Sequence, residues 1–208
     1  MPKIVDAEAR RQDVVDAVFR IIASDGLERA SLREVAEEAD LAVGSVRHYF
    51  ASSDDLLVHS FAVVIDRIVG RLEDAFATVE SVERDSPDHD RAVLTLLGQF
   101  LPLDEELAVD SCVWMAFRHA ARIKPVLAEE AGRSHRAVAA VVGRLLMRMM
   151  PDGGTSQERL VTEAERLLAT MDGLCMHALL QPEWMTAEVC GDVLQAHLAT
   201  LGRLPSNR

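Results

Sequence analysis

Several common protein chemistries are poorly supplied in this chain. The three cysteines, Cys112, Cys175 and Cys190, are odd in number and widely spaced, so they form neither a disulfide framework nor a zinc pattern. Glycine (11) and proline (7) are too few for a turn-rich β protein of 208 residues. Lysine is nearly absent: Lys3 and Lys124 are the only two among 22 basic residues. Set against 34 acidic residues, the balance is −12, which argues against a nonspecific coat for nucleic acid. It leaves room for one small, local DNA-reading surface. Apolar runs are short. Phe61 to Ile65 is typical and is closed by Asp66 and Arg67, whereas a spanning helix needs about 20 apolar residues. No membrane partner is expected. The N-terminal stretch turns acidic at Asp6 without a signal-peptide pattern, so the expected location is the cytoplasm. The seven histidines show no metal spacing, and no G-x-S-x-G, phosphate loop or dinucleotide glycine pattern is present. No metal, no cofactor and no enzymatic activity are expected.

What remains is apolar (49%), charged (27%) and rich in Ala, Leu, Glu and Arg, a composition that predicts an all-α fold with a sizeable core. Val14, Val18, Ile21 and Ile22 keep a helical period over about residues 7–24, and Gly26 should end that helix. Ser31-Leu32-Arg33-Glu34 reads as a capping box opening a short helix to about Ala39. Asp40-Leu41-Ala42 reads as a tight turn, and a second short helix follows from about Val43 to Tyr49. Ser52 or Ser53 then caps a long helix over about 53–79, whose stripe is Leu57, Phe61, Val64, Ile65, Ile68, Leu72 and Phe76. The polar stretch from Glu80 to Asp90, with Pro87, reads as a loop. Further helices are expected at about 91–101, 105–122, 125–149, 157–180 and 186–201.

Two short helices joined by a three-residue turn, after an amphipathic helix, form a helix-turn-helix plan. In that plan the second helix enters the major groove and presents its first turn to base edges. Val43 to Phe50 suits the role. Gly44 allows close approach, and Ser45 and Arg47 can hydrogen-bond bases or phosphates. Val46 and Phe50 should point back to the core, and the hydroxyl of Tyr49, the only tyrosine, can reach a phosphate.

The runs Ser31 to Ala39, Gly44 to Phe50 and Ser53-Asp54-Asp55-Leu56-Leu57 resemble the TetR family of transcriptional regulators. The motif resemblance covers about residues 8–60. It implies a three-helix DNA-binding domain, residues 1–52, and a larger helical effector-binding and dimerisation domain, residues 53–208. It also implies a homodimer that binds a near-palindromic operator and is released by a small-molecule effector. Carried over by position, the DNA surface is Ser31, Val43, Gly44, Ser45, Arg47, His48 and Tyr49. Three positions depart from the family pattern: Asp40 stands where Gly is usual, Ala42 where Ser or Thr often starts the recognition helix, and Ser53 where Lys often starts the connector. The last two remove familiar phosphate contacts. Residues 1–60 hold seven basic residues against twelve acidic ones, a balance of −5. Hydroxyls, helix-start amides and Arg33 must therefore do more of the anchoring.

Beyond the motif the residues leave more than one reading open. Trp114, Phe117, Arg118 and His119, with Met147, Met171 and Cys175 from neighbouring helices, suit an apolar effector pocket with a few polar groups. The same residues also suit ordinary core packing. Glu163 and Asp172 could be partners of a cationic ligand, although surface or capping roles are commoner. Leu160, Ala164 and Leu168 on one late helix, and Val189, Val193 and His197 on the last, add apolar surface on more than one side. Such excess suggests a subunit interface, and the family pairs these two helices with their copies. An effector that is lipophilic, with a tilt towards cations, fits the −7 balance of residues 61–208. The competing reading is a helical small-molecule binding protein with a weak or vestigial DNA-binding domain.

Overall fold

The computed structural model describes residues 7–84, 86–150 and 156–201. Helix α1 (Ala7–Asp25) buries Val14, Val15, Val18, Phe19, Ile21 and Ile22. Gly26 stops it at φ 87°, a conformation glycine adopts at little cost. Helix α2 (Leu32–Glu38) opens as the capping motif predicts: the Ser31 hydroxyl accepts from the Glu34 amide at 3.3 Å. The Glu34 carboxylate reaches back to the Ser31 hydroxyl, at 2.7 Å, rather than to the Ser31 amide.

The turn after α2 is a Schellman motif. The Asp40 amide donates to Glu37 O (3.2 Å) and the Leu41 amide to Ala36 O (2.8 Å). This closure needs a left-handed residue, and Asp40 supplies it at φ 53°. A short polar side chain tolerates that conformation better than most non-glycine residues. Helix α3 (Val43–Tyr49) then begins at Ala42, which offers no side-chain cap. Helix α4 (Ser53–Ser81) follows. Its cap is Ser52, whose hydroxyl accepts from the Asp55 amide at 3.0 Å while Asp55 accepts from the Ala51 amide at 3.0 Å. At 29 residues it is about 44 Å long.

The expected loop at 80–90 is too long by several residues. Helix α5 spans Pro87–Gly98, not 91–101. Ser86 caps it through the His89 amide (3.1 Å), and Pro87 sits in the first turn, where its missing N–H costs nothing. The polar residues read as a loop are this helix's start signal. The remaining helices are α6 (Glu105–Ala120), α7 (Ala128–Met149, after a 3-10 turn at Pro125–Leu127), α8 (Gln157–Leu180) and α9 (Ala187–Leu198). Helices α6 and α9 end earlier than their apolar patterns suggest. Their last expected residues form hydrogen-bonded turns instead, such as Ile123 N to Ala120 O (3.0 Å) and Leu201 N to Leu198 O (3.0 Å).

The chain forms two compact units. One runs to Arg67 and includes Cys112–Arg133; the other holds Ile68–Ser111 and Ser134 onward. Helices α4, α6 and α7 contribute to both. In the first unit, Phe61 stacks on Phe117 at 4.9 Å, both fully buried. Arg67 binds Asp16 at 2.7 Å with its guanidinium over the Phe19 ring, which fixes α4 on α1. Arg133 links α7 to α4 through Asp66 (2.7 Å) and Ala62 O (3.2 Å). In the second unit, Arg71 meets the buried Asp110 at 2.6 Å. Arg144 covers the Phe76 ring and binds Glu73, and Arg148 donates to Val82 O at 2.7 Å, just past the end of α4.

Two substitutions test this account. Among the described residues the Ser60 hydroxyl, fully buried on α4, has no hydrogen-bond partner. Ser60→Ala removes an unsatisfied group, so urea unfolding should show a gain of about 1 kcal/mol. Asp40→Gly relieves the left-handed residue and should add about 0.5–1 kcal/mol in the same assay.

Candidate functional site

Helix α3 divides cleanly by face. Val46 and the following Phe50 are fully buried. Gly44, Ser45, Arg47 and His48 are exposed, Val43 is 37% exposed, and Tyr49 is half-buried with its ring edge-on to His48. A Cβ built on Gly44 meets no protein atom within 4 Å. The fold therefore does not require glycine there.

The basic residues of the first sixty positions sort sharply. Lys3 lies outside the described residues. Arg10 pairs with Asp13 at 3.2 Å, Arg20 with Glu38 at 2.5 Å and Arg29 with Glu34 at 2.9 Å. Arg11 is folded over the Phe50 ring at 5.1 Å, with its Nη2 at 3.5 Å from His59 Nδ1. Among the described residues only Arg33 and Arg47 of this set are exposed without such a partner. Ser31 is half-buried, and its hydroxyl both accepts from and donates to Glu34 in the capping motif.

The Arg11–Phe50–His59 cluster escaped the sequence reading. Its members lie on α1, just after α3, and on α4, so no local spacing announces them. The Phe50 and His59 ring centroids are 5.4 Å apart. Burial, and then the Arg11 charge, hold His59 below the ordinary histidine range against the opposing carboxylates Glu8, Asp55 and Asp66.

The expected effector residues are distributed over both units. In the first, Trp114 and Phe117 are buried, half-buried Arg118 lies over the Trp114 ring at 4.4 Å, and His119 is exposed. In the second, Met171 and Cys175 are buried one turn apart on α8. Met147 is 55% exposed, and it borders a surface recess with Phe76, Arg84, Arg144 and Arg148. A cleft of about 240 Å³ between α5, α7 and α9, lined by Asp90, Val93, Met149, Gln195 and Leu198, was not expected. Glu163 is buried and held by Arg166 three residues on (2.7 Å), a structural pairing within α8.

The expected interface residues Leu160, Ala164 and Leu168 on α8, and Val189 and His197 on α9, are half-buried in the single chain, while Val193 is 39% exposed. Polar bonds join α8 to α9 and to the turn after it: Thr170 Oγ1 lies 3.1 Å from His197 Nδ1, and Arg166 donates to Thr200 at 2.8 Å. Burial, and then Arg166, hold His197 below the usual histidine range, with Glu163 opposing.

A capped short helix, a Schellman turn and a second short helix with an open, glycine-bearing face define a helix-turn-helix DNA-binding protein. Comparison with known proteins gives the family. Residues 14–59 match the family model for bacterial regulatory proteins of the tetR family, and residues 89–203 match the C-terminal model of BetI-type transcriptional repressors. The regulator PksA of Bacillus subtilis is 32% identical over 202 residues, covering 97% of this chain and 94% of its own. The structure of a transcriptional regulator from Rhodococcus sp. Rha1 superposes with a TM-score of 0.75 at 29% identity, covering 92% of this chain and 95% of that one. The multidrug binding protein EbrR, complexed with ethidium, gives a TM-score of 0.59 at 26% identity, covering 90% and 98%. The chain belongs to the TetR family, as a transcriptional repressor of the BetI type rather than an enzyme. No helix among the described residues is long and apolar enough to cross a membrane.

With two exposed arginines without a partner among the described residues of positions 1–60, the salt dependence of DNA binding should be shallow. Log K against log salt should fall with a slope of about −2 for each subunit bound. Titration by fluorescence anisotropy across salt concentrations reads this slope. A value near −4 per subunit or steeper would refute the sorting.

Proposed function

We propose that the chain is a homodimeric, ligand-responsive repressor. Residues 1–52 read a near-palindromic operator, and residues 53–208 hold the effector and the dimer contacts. The observation that carries this is the division of α3: Val46 and Phe50 are sealed inside while Gly44, Ser45, Arg47 and His48 face out. Two such helices, about 34 Å apart in a dimer, would enter successive major grooves. Val43 to Ser45 form the closest approach, Arg47 and His48 reach base edges or phosphates, and Ser31, Arg33 and Tyr49 bind the backbone. Helices α8 and α9 pair with their copies through Leu160, Ala164, Leu168, Val189, Val193 and His197. The double-stranded operator, the effector and the second subunit are the partners, and the cytoplasm is the place of action.

The effector is a small lipophilic compound, with cations favoured; the residues proposed to contact it are Trp114, Phe117, Arg118 and His119 in the first unit, and Met147, Met171 and Cys175 in the second. One fact supports the tilt. EbrR, a relative in fold and at 26% identity, is complexed with ethidium. The ligand releases DNA by binding better to the state with separated recognition helices, and a complete switch needs about 5.5 kcal/mol of differential affinity.

A randomised duplex pool, with sequencing of the retained DNA, tests the reading. A palindrome should be enriched. Arg47→Ala should lose about 1–3 kcal/mol on that palindrome and less on random DNA. Gly44→Ala should fold normally, because its Cβ meets nothing in the protein, yet bind the palindrome more weakly. No enrichment would favour the second reading, a small-molecule binder with a vestigial DNA domain. The acidic balance and the internally paired arginines are what favour that alternative.

A further inference from the structure

One cluster lies behind the exposed face of α3, and two of its members, Arg11 and His59, take no part in the reading above. Phe50, the residue that ends α3, is fully buried, with the guanidinium of Arg11 over its ring and the imidazole of His59 beside it. Arg11 Nη2 lies 3.5 Å from His59 Nδ1. Guanidinium has only protons to offer, so the contact exists only while Nδ1 carries a lone pair. Among the described residues Arg11 has no ion pair, and its Nε is buried without a partner. His59 is therefore its hydrogen-bonding anchor. Arg11 comes from α1, Phe50 from the end of α3 and His59 from α4, so one contact ties the recognition helix to both supporting helices.

We propose that the neutral imidazole of His59 is a positioning group for the recognition helix, acting through Arg11 and Phe50, so that protonating it weakens operator binding. Protonation replaces an acceptor with a second cation facing Arg11. Like charges at that distance repel, and the two side chains that bracket Phe50 must separate. The charged groups around His59 are Arg11 and Glu8 on α1 and Asp55 and Asp66 on α4. Asp66 is engaged by Arg133, and Asp55 by the Ala51 amide. Burial and Arg11 keep the imidazole neutral at neutral pH, so the change falls on the acid side of the usual histidine range.

The direction of the effect separates it from bulk electrostatics. Acidification makes an acidic protein less negative, and that change favours DNA. A repressor without this device should bind more tightly as pH falls. This one should bind more weakly.

The proposal rests on α3 being the DNA-reading helix. The test measures binding of the full-length protein to the duplex retained from the random pool, by anisotropy at constant ionic strength, with circular dichroism confirming the native fold at each pH. Between about pH 7.5 and about pH 5.5 the wild-type Kd should rise on the order of tenfold, the limit for one proton being tenfold per pH unit. His59→Gln keeps an acceptor for Arg11 and cannot charge, so its Kd should stay flat or fall on acidification. Arg11→Met removes the like charge and should also abolish the acid loss, giving a second route to the same answer. A wild-type Kd that stays constant or falls, or an acid loss that persists in both variants, would overturn the positioning role alone. Absence of any retained duplex at about pH 7.5 would overturn the DNA-reading assignment, and this proposal with it.

Discussion

Everything specific about this molecule depends on seating a helix too short to stand alone. Seven residues make two turns, well below the length at which an isolated helix holds in water. Helix α3 also lacks a side-chain cap, since Ala42 stands at its start. It exists because Val46 and Phe50 are fully buried and because the Schellman turn at Asp40 delivers the chain at the right angle. The same seating decides which residues face out. With those two positions fixed inward, the helical period leaves Gly44, Ser45, Arg47 and His48 no inward option. Stability and recognition are therefore one arrangement seen from its two sides.

The composition makes sense on the same terms. Nearly all the basic residues are arginine, and the structure uses many of them as clips between helices rather than as a coat for nucleic acid. Arg67 combines a carboxylate with an aromatic face, Asp16 and Phe19; Arg144 does so with Glu73 and Phe76. Arg133 on α7 bridges a carboxylate and a backbone carbonyl of α4. Stacking on a ring while forking to an oxygen is a job for a planar guanidinium and not for an ammonium. A chain that recruits its cations inward in this way keeps few of them for phosphates, and the proposed operator reading accordingly leans on shape and close approach.

The helix-turn-helix was legible because its signals are local: a capping motif, a left-handed turn residue and a short period of apolar positions, all within Ser31 to Phe50. Asp40 was visible as a departure from glycine, but only the dihedral angle shows that it performs the glycine's conformational role. The start of α5 was misread because Ser86 and Pro87 mark a helix start or a loop equally well, and only the Ser86–His89 bond decides. Effector residues were less legible. Apolar character alone does not separate buried Met171 from Met147, which is mostly in solvent. The Arg11–Phe50–His59 cluster left no trace in spacing because it joins three helices.

Helix α4 belongs to both compact units, and its fastenings differ in kind from its packing. Its apolar stripe, from Leu56 through Phe61, Ile65, Leu72 and Val79, is buried along the length. Several polar fastenings are half-open. The Arg67–Asp16, Arg133–Asp66 and Arg144–Glu73 pairs all involve side chains between 35% and 70% exposed. Pairs this open each contribute on the order of 1 kcal/mol or less, after screening by water and salt. Exchanging several of them costs an amount comparable to the differential affinity a small ligand can supply. The apolar stripe, by contrast, is non-directional and tolerates a small tilt far better than loss of contact. Apart from the buried Arg71–Asp110 pair, α4 is held by its apolar seam and half-open clips, which suits the ligand-driven change of seating proposed above. Strong buried fastenings along its whole length would have locked it.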